Sequence, residues 1–188
     1  MAIAVFSDCG AESRIEQLGC PVPFRCHCAF NKRMNKRTAG IRLFRHGRTG
    51  LEVLLVHPGG PYWAKKDAGA WSIPKGQYLD GEDPLVAAKR EFSEETGVGV
   101  DGNFIDLGEV KQAGGKVVRA WALEGNLDSA LIRSNSFAIE WPPRSGLMRE
   151  FPEVDSGAWF SLSDARHKLL KGQLEFLMRL AQRLDAAS

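Results

Sequence analysis

Apolar and polar positions along the chain follow two periodicities. Residues 51–57, Leu-Glu-Val-Leu-Leu-Val-His, form a short apolar run, and residues 39–46 form another just before it. Both read as strands, joined to later elements by a Gly/Pro turn and a long loop through Trp71. Further strands are expected at 104–111 and at 116–124, where Lys116-Val-Val-Arg-Ala-Trp-Ala-Leu123 is β-rich and partly alternating. Another short one ends at Ala158-Trp159-Phe160. The period changes between these runs. Leu85, Ala88 and Phe92 recur at spacings of three and four, which predicts a helix over 84–96 seated on a core. Asp83 is its N-cap, Pro84 fits the first helical position, and Gly97 supplies the stop. Ser161-Leu-Ser-Asp164 leads into helices at 164–170 and 173–185, with Ser163 as the expected N-cap.

Composition adds bounds rather than detail. At 188 residues the chain suits one domain with a sizeable core, and no apolar run is long enough to span a bilayer. A net charge of +2 gives no argument for nucleic-acid or membrane partners. The charge is unevenly distributed: residues 1–37 carry six Lys/Arg against three Asp/Glu, and the other 151 carry nineteen against twenty.

The first segment also holds every cysteine: Cys9, Cys20, Cys26 and Cys28. Cys26-His27-Cys28 looks ligand-like, but the paired C-x2-C spacing of a compact zinc site is absent. Met1–Phe6 lacks a basic start and soon meets Asp8, against a secretory signal; Asp8, Glu12 and Glu16 interrupt any mitochondrial transit pattern. The body is therefore expected to be cytoplasmic. With little periodicity to offset ordering entropy, residues 1–33 are expected to be poorly ordered. The expected division is an extension over 1–37, disordered or a non-native upstream start, and a domain over 38–188, the alternative for the first part being a short dimerisation or regulatory arm.

Candidate chemistry concentrates at residues 76–98. On the predicted helix Glu91 neighbours both Glu94 and Glu95, so three carboxylates share one small volume and would repel one another without a cation among them. Hard oxygen donors at this density suit Mg2+, with Mn2+ as a substitute. Arg90 is placed to hold a neighbouring carboxylate bidentately. A solvated acidic helix face is the plainer alternative, but it gives no reason for Gly76, Glu82, Arg90 and Gly97 to stand at fixed spacing as well.

Those positions satisfy the pattern G-x5-E-x7-R-E-U-x-E-E-x-G-U, with Phe92 and Val98 as the bulky apolar residues, and the chain thereby resembles the Nudix hydrolases. The resemblance implies an α/β fold, an α/β/α sandwich with a mixed β-sheet over about residues 38–185. It implies metal ligation by Glu91, Glu94 and Glu95, an outer or water-mediated role for Glu82, a ligand from the Lys75 carbonyl, and glutamate orientation by Arg90. In some members Glu91 or a neighbour is the base. Trp71-Ser-Ile-Pro-Lys75-Gly76 resembles the branch containing dinucleoside tetraphosphate hydrolases and diphosphoinositol polyphosphate phosphohydrolases.

Two loops are expected to choose the substrate. Residues 57–71 mix aromatic faces and cations (Tyr62, Trp63, Lys65, Lys66, Trp71), suited to a base and its phosphates, though Tyr62 and Trp71 could equally be packing residues. Lys75 adds a positive charge beside them. Residues 133–155 form a long polar insertion that includes Arg144, a further substrate candidate. Glu153 lies six residues before Trp159, the spacing of an additional catalytic glutamate in dinucleoside tetraphosphate hydrolases; Glu150 and Asp155 are its rivals. The expected reaction is Mg2+-dependent hydrolysis of a pyrophosphate bond in a nucleoside diphosphate linked to another group, first a dinucleoside polyphosphate or nucleoside triphosphate. Alternatives are a diphosphoinositol polyphosphate, an RNA 5′ end, or a catalytically silent nucleotide-binding domain. A nucleotide-type small molecule is the expected partner, nucleic acid is disfavoured, and monomer and homodimer remain open.

Overall fold

The computed structural model describes residues 37–48 and 50–186. Expectations for residues 1–36, including the four cysteines, lie outside the described residues. The elements run β1 (Arg37–Gly47), β2 (Gly50–Pro58), β3 (Lys75–Gln77), α1 (Pro84–Thr96), β4 (Ile105–Lys111), β5 (Val117–Glu124), β6 (Ser136–Glu140), β7 (Met148–Pro152), β8 (Val154–Ser161), α2 (Leu162–Lys168) and α3 (Leu174–Asp185). The main sheet has the order β4-β5-β1-β2-β8, with β3 also paired to β1. The β1–β5 pair is parallel and the other pairs are antiparallel, so the sheet is mixed.

Alternation along β1 and β2 sends side chains to two cores. Ile41, Leu43, Leu54 and Val56 meet Ala87, Ala88 and Phe92 of α1 on one face. Phe44, Val53 and Leu55 meet Ala165, Leu169, Phe176, Leu177 and Leu180 of α2, α3 and their connection on the other. A strand covered on both faces needs apolar residues at consecutive positions, which explains the unbroken runs in β1 and β2. The result is the α/β/α sandwich. Among the described residues no helix is long and apolar enough to cross a membrane.

Helix α1 starts and stops where its sequence dictates. The Asp83 side chain accepts from the Leu85 and Val86 amides at 2.8 and 3.0 Å. Gly97 ends the helix in the left-handed region at φ 77°, its amide donating to the Ser93 carbonyl. A residue with a Cβ would be strained there.

Four local expectations are corrected. The segment 133–155, read as a polar loop, contains the antiparallel hairpin β6–β7, registered from Ser136 opposite Pro152 to Glu140 opposite Met148. A two-stranded ribbon exposes much of both faces, so its strands lack the apolar alternation that marks a half-buried one. Strand β8 covers eight residues rather than a short stretch ending at Phe160. Strand β3 has no counterpart among the expected elements, because three residues, one of them glycine, carry no periodicity. Helix α2 is capped by Ser161 instead of Ser163, since Ser161 Oγ accepts from the Asp164 amide, three residues on.

The base of the hairpin is tied to the end of α1. The Asn135 amide donates to the Glu94 carbonyl at 3.1 Å and the Arg133 amide to the Thr96 carbonyl at 3.1 Å, occupying carbonyls that helix geometry leaves free. The Glu153 amide then donates to the Asn135 carbonyl, and the Gly59 amide to the Glu153 carbonyl. Gly59 lies so close to β7 that a Cβ would stand 2.0 Å from the Pro152 carbonyl oxygen.

Replacing Asp83 by Ala removes the cap of the helix that carries the glutamates and is expected to lower stability by about 1 kcal/mol. Urea unfolding checks this; a midpoint equal to that of the parent would show that the cap contributes nothing.

Candidate active site

Arg90 is the hub of the polar face of α1. Its Nη1 donates to Glu91 Oε1 at 2.8 Å and to both carboxylate oxygens of Glu94 at 3.3 Å. Its Nη2 donates to the Gln77 carbonyl at 3.2 Å and Glu82 Oε1 at 3.3 Å. Partial burial works to lower the guanidinium's pKa, but Glu91, Glu94 and Glu82 outweigh it and hold the group above its ordinary range. Glu82 accepts the Leu79 amide on its other oxygen. That bond, with Arg90, lowers the Glu82 pKa despite some desolvation. Glu82 therefore braces the loop before α1.

Glu91 and Glu95 occupy the less solvated part of the cluster. The Glu91 carboxylate is seated against Gly76, where a Cβ would fall 1.7 Å from Glu91 Oε2. Glycine at 76 thus provides the space for a carboxylate. Burial raises the Glu91 pKa, Arg90 opposes that shift, and the charges of Glu94 and Glu153 add to it. Burial pushes Glu95 up to about 7; the charge and backbone amide of Lys75 act against this, and Glu91 and Glu153 reinforce it. The amide bond is direct, Lys75 N–H to Glu95 Oε2 at 3.1 Å.

The donor set fits a hard divalent cation. Desolvated carboxylates raised by one another's charge are a site whose electrostatic cost a cation would relieve, and all-oxygen donors suit Mg2+ or Mn2+. Among the described residues no three acidic or histidine side chains already converge on a single point. Arg90 holds Glu91 and Glu94 in their present positions, so ligation would redistribute those contacts.

The three acidic candidates of the insertion separate clearly. Glu153, at the junction of β7 and β8, is exposed and adds its charge to both Glu91 and Glu95. Asp155 is turned to His57, whose Nδ1 lies 2.8 Å from Asp155 Oδ1, and it also accepts from Ser156 Oγ. Glu150 stands in the middle of β7, opposite Ala138 of the ribbon.

Aromatic and cationic candidates divide as well. Trp71 is a packing residue: its ring meets His57 and Phe160 edge-on at 5.2 and 5.0 Å, and its Nε1 donates to Asp67 at 2.9 Å. Tyr62 is 54% exposed and touches the Trp141 ring at 5.2 Å, which joins the 57–71 loop to the far end of the hairpin. Lys66 Nζ stands 4.5 Å from the Trp63 ring, and Lys65 is exposed. Arg144 is exposed in the β6–β7 turn, with φ 65°.

Sequence reasoning missed Lys116 and Trp141. Lys116, half-buried just before β5, has its pKa lowered by burial and by the charge of Lys75, with Glu95 acting in the opposite sense. It therefore belongs with Lys75 beside the carboxylates. Only strand pairing reveals this: β5 and β3 flank the first half of β1. Trp141 was legible as an aromatic residue in the insertion, but its partner Tyr62 was not.

The family model described as NUDIX domain matches residues 34–180. An octanoyltransferase of Myxococcus xanthus is 33% identical over 133 residues, covering 71% of this chain and 33% of that protein. An RNA pyrophosphohydrolase of Caulobacter vibrioides is 43% identical over 56 residues, 27% of this chain and 33% of that protein. The matches thus span about a third of the length of these curated relatives. Among solved structures, a C. elegans Ap4A hydrolase binary complex superposes with TM-score 0.56 at 21% identity, covering 80% of this chain and 99% of that one. The NUDIX domain of Shewanella oneidensis NrtR, complexed with ADP ribose, gives 0.54 at 20% identity, covering 79% and 87%. Likeness at these identities establishes the shared fold.

The carboxylate geometry generates two expected outcomes. Gly76→Ala is expected to expel the Glu91 carboxylate and weaken binding of Mn2+, with the fold retained; calorimetric titration yielding parental affinity would remove the role given to Gly76. The second concerns pH. Without metal, Glu95 has a folded pKa of about 7, above its ordinary 4.5. The folded state then binds more protons than the unfolded one across that window, so its stability falls as pH rises from about 4.5 through about 7. The full effect is on the order of 3 kcal/mol. Urea titrations in chelator near pH 4.5 and pH 8 should show a loss in the parent that is reduced by this amount in Glu95→Gln. The same pH response in both proteins would contradict the assignment.

Proposed function

This chain belongs to the Nudix family, and on that premise we propose that it hydrolyses a pyrophosphate bond in a nucleoside diphosphate linked to another group, with Mg2+ as cofactor and Mn2+ as its substitute. A dinucleoside polyphosphate is the substrate class we favour. The observation that carries the reading is the seating of Glu91 against Gly76 and of Glu95 on the Lys75 amide, with the charge of Glu153, from the insertion, acting on both.

In this reading Glu91, Glu94, Glu95 and the Lys75 carbonyl hold the cation, and Glu82 contributes through water. When bound, Mg2+ neutralises phosphate oxygens and acidifies a water. Arg90 keeps the glutamates at their stations, and the side chains of Lys75 and Lys116 offer positive charge to the phosphate chain. Glu153, exposed and without a salt-bridge partner among the described residues, takes the proton as water attacks phosphorus. The bridging P–O bond breaks, and the leaving phosphate departs with its electron pair. No covalent protein nucleophile is needed.

The substrate's nucleoside end is assigned to the 57–71 loop and the hairpin. Tyr62 and Trp141 offer flat apolar faces, Trp63 stands beside Lys66, and Lys65 and Arg144 are exposed cations near phosphates that extend away from the metal. Support for this assignment is the Tyr62–Trp141 contact, which unites two segments distant in sequence.

A panel of dinucleoside polyphosphates, nucleoside triphosphates, diphosphoinositol polyphosphates and triphosphorylated RNA, run with Mg2+ in labelled water, tests the reading. The expected result is metal-dependent cleavage of the dinucleoside polyphosphate with label in one product. Nucleotide binding without turnover of any member would instead favour a silent binding domain. Glu153→Gln is expected to lower kcat by roughly 10²–10⁴-fold with KM little changed. Unchanged kcat, with unchanged Mg2+ dependence, would exclude Glu153 from both base and ligand roles.

A further inference from the structure

Arg42 is fully buried in β1. Alternation places it on the face toward α3, beside Phe44 and opposite Ile41 and Leu43. Burial is the cause that moves its pKa, down to about 9, so the guanidinium is still cationic at neutral pH; no carboxylate among the described residues offsets it. Among the described residues, its guanidinium makes one side-chain hydrogen bond, a long one from Nη2 to the Gln173 carbonyl at 3.5 Å. An isolated charge in a core is too costly to be left uncompensated.

The neighbouring polar atoms are donors too. Arg42 Nε and Nη1 and Gln173 Nε2 are buried without partners among the described residues. They carry one N–H and two N–H pairs respectively, five hydrogens in search of acceptors. Gln173 is itself fully buried, and its Oε1 already accepts the Ile73 amide at 3.0 Å. Gln112, whose Nε2 is similarly orphaned, lies against Gly172, where a Cβ would fall 2.8 Å from Gln112 Cγ. A water could accept from two of these N–H groups but would leave the buried charge of the guanidinium uncompensated. An anion accepts from every side and cancels the charge.

We propose that Arg42 and Gln173 hold a small monovalent anion of chloride's size between β1 and the start of α3. Arg42, Gln173 and the core residues Phe44, Ile73, Leu169 and Phe176 are all fully buried, which favours a small anion over a large one. The site also backs the catalytic strand segment. Gln173 fixes the Ile73 amide, the Ile41 amide donates to the Pro74 carbonyl, and the next residue, Lys75, gives its amide to Glu95. The anion thus braces the backbone that leads into the carboxylate cluster, independently of which phosphate compound that cluster cleaves.

Thermal unfolding of the whole chain, with sodium chloride titrated against sodium gluconate at constant ionic strength, tests the proposal. Tm should rise with chloride to a plateau, on the order of 3 °C above gluconate. Arg42→Met should lose the response. Gln173→Glu supplies a carboxylate beside the guanidinium and should also lose it, while raising Tm in gluconate. If Arg42→Met does not fold, that second variant and a bromide-derivatised crystal decide, the latter with an anomalous peak expected between Arg42 and Gln173. An identical parent Tm in both salts, a chloride response retained in Gln173→Glu, or no bromide peak would each overturn the proposal.

Discussion

Carboxylates crowded at the inner end of one helix repel each other, and the surroundings of α1 answer that repulsion. Arg90 spans Glu82, Glu91 and Glu94 with its two terminal nitrogens and anchors itself on the Gln77 carbonyl. A lysine could not replace it, because one ammonium cannot extend a planar fork to acceptors on both sides. What Arg90 leaves unbalanced is the Glu91–Glu95–Glu153 side, where burial and like charge act in the same direction. The scaffold holds a charge imbalance there that a divalent cation would relieve.

The insertion is integral to that arrangement. Its base caps α1 through the Glu94 and Thr96 carbonyls, and the same ladder of amides passes through Asn135 and Glu153 to Gly59. A helix terminus needs partners for its last carbonyls, so one set of hydrogen bonds both finishes the helix and locates Glu153. The far end of the ribbon meets the 57–71 loop through Tyr62 and Trp141. Below that loop, His57 links Asp155 to the Lys66 carbonyl, and Trp71 covers it. Aromatic residues of the loop thus divide by function, Trp71 inward for packing and Tyr62 outward.

The two faces of the sheet carry opposite electrostatic problems. On the α1 side, burial and like charge raise the pKa values of the acids; on the α3 side, burial lowers that of Arg42. Both converge on the short stretch Ile73–Lys75, which is hydrogen-bonded to Gln173 at one end and to Glu95 at the other. Local rigidity of that stretch depends on both neighbourhoods.

The sequence by itself determined the features that depend on near neighbours. The caps of α1, the helical spacing that gathers Glu91, Glu94 and Glu95, and the buried strands β1 and β2 all arise from residues a few positions apart, where propensity and periodicity operate. Tertiary structure decided the rest. The ribbon β6–β7 was illegible because neither face is fully buried, so no apolar alternation was required of it. Trp71 reads like a stacking residue until His57 and Phe160 are brought to it by β2 and β8. Gly76 could be recognised as a place of close approach, yet that the approaching group is the Glu91 carboxylate depends on β3 crossing α1. Lys116 and Arg42 carried no local signal, because a charge is made unusual by what surrounds it, and its surroundings are assembled from strands and helices far apart along the chain.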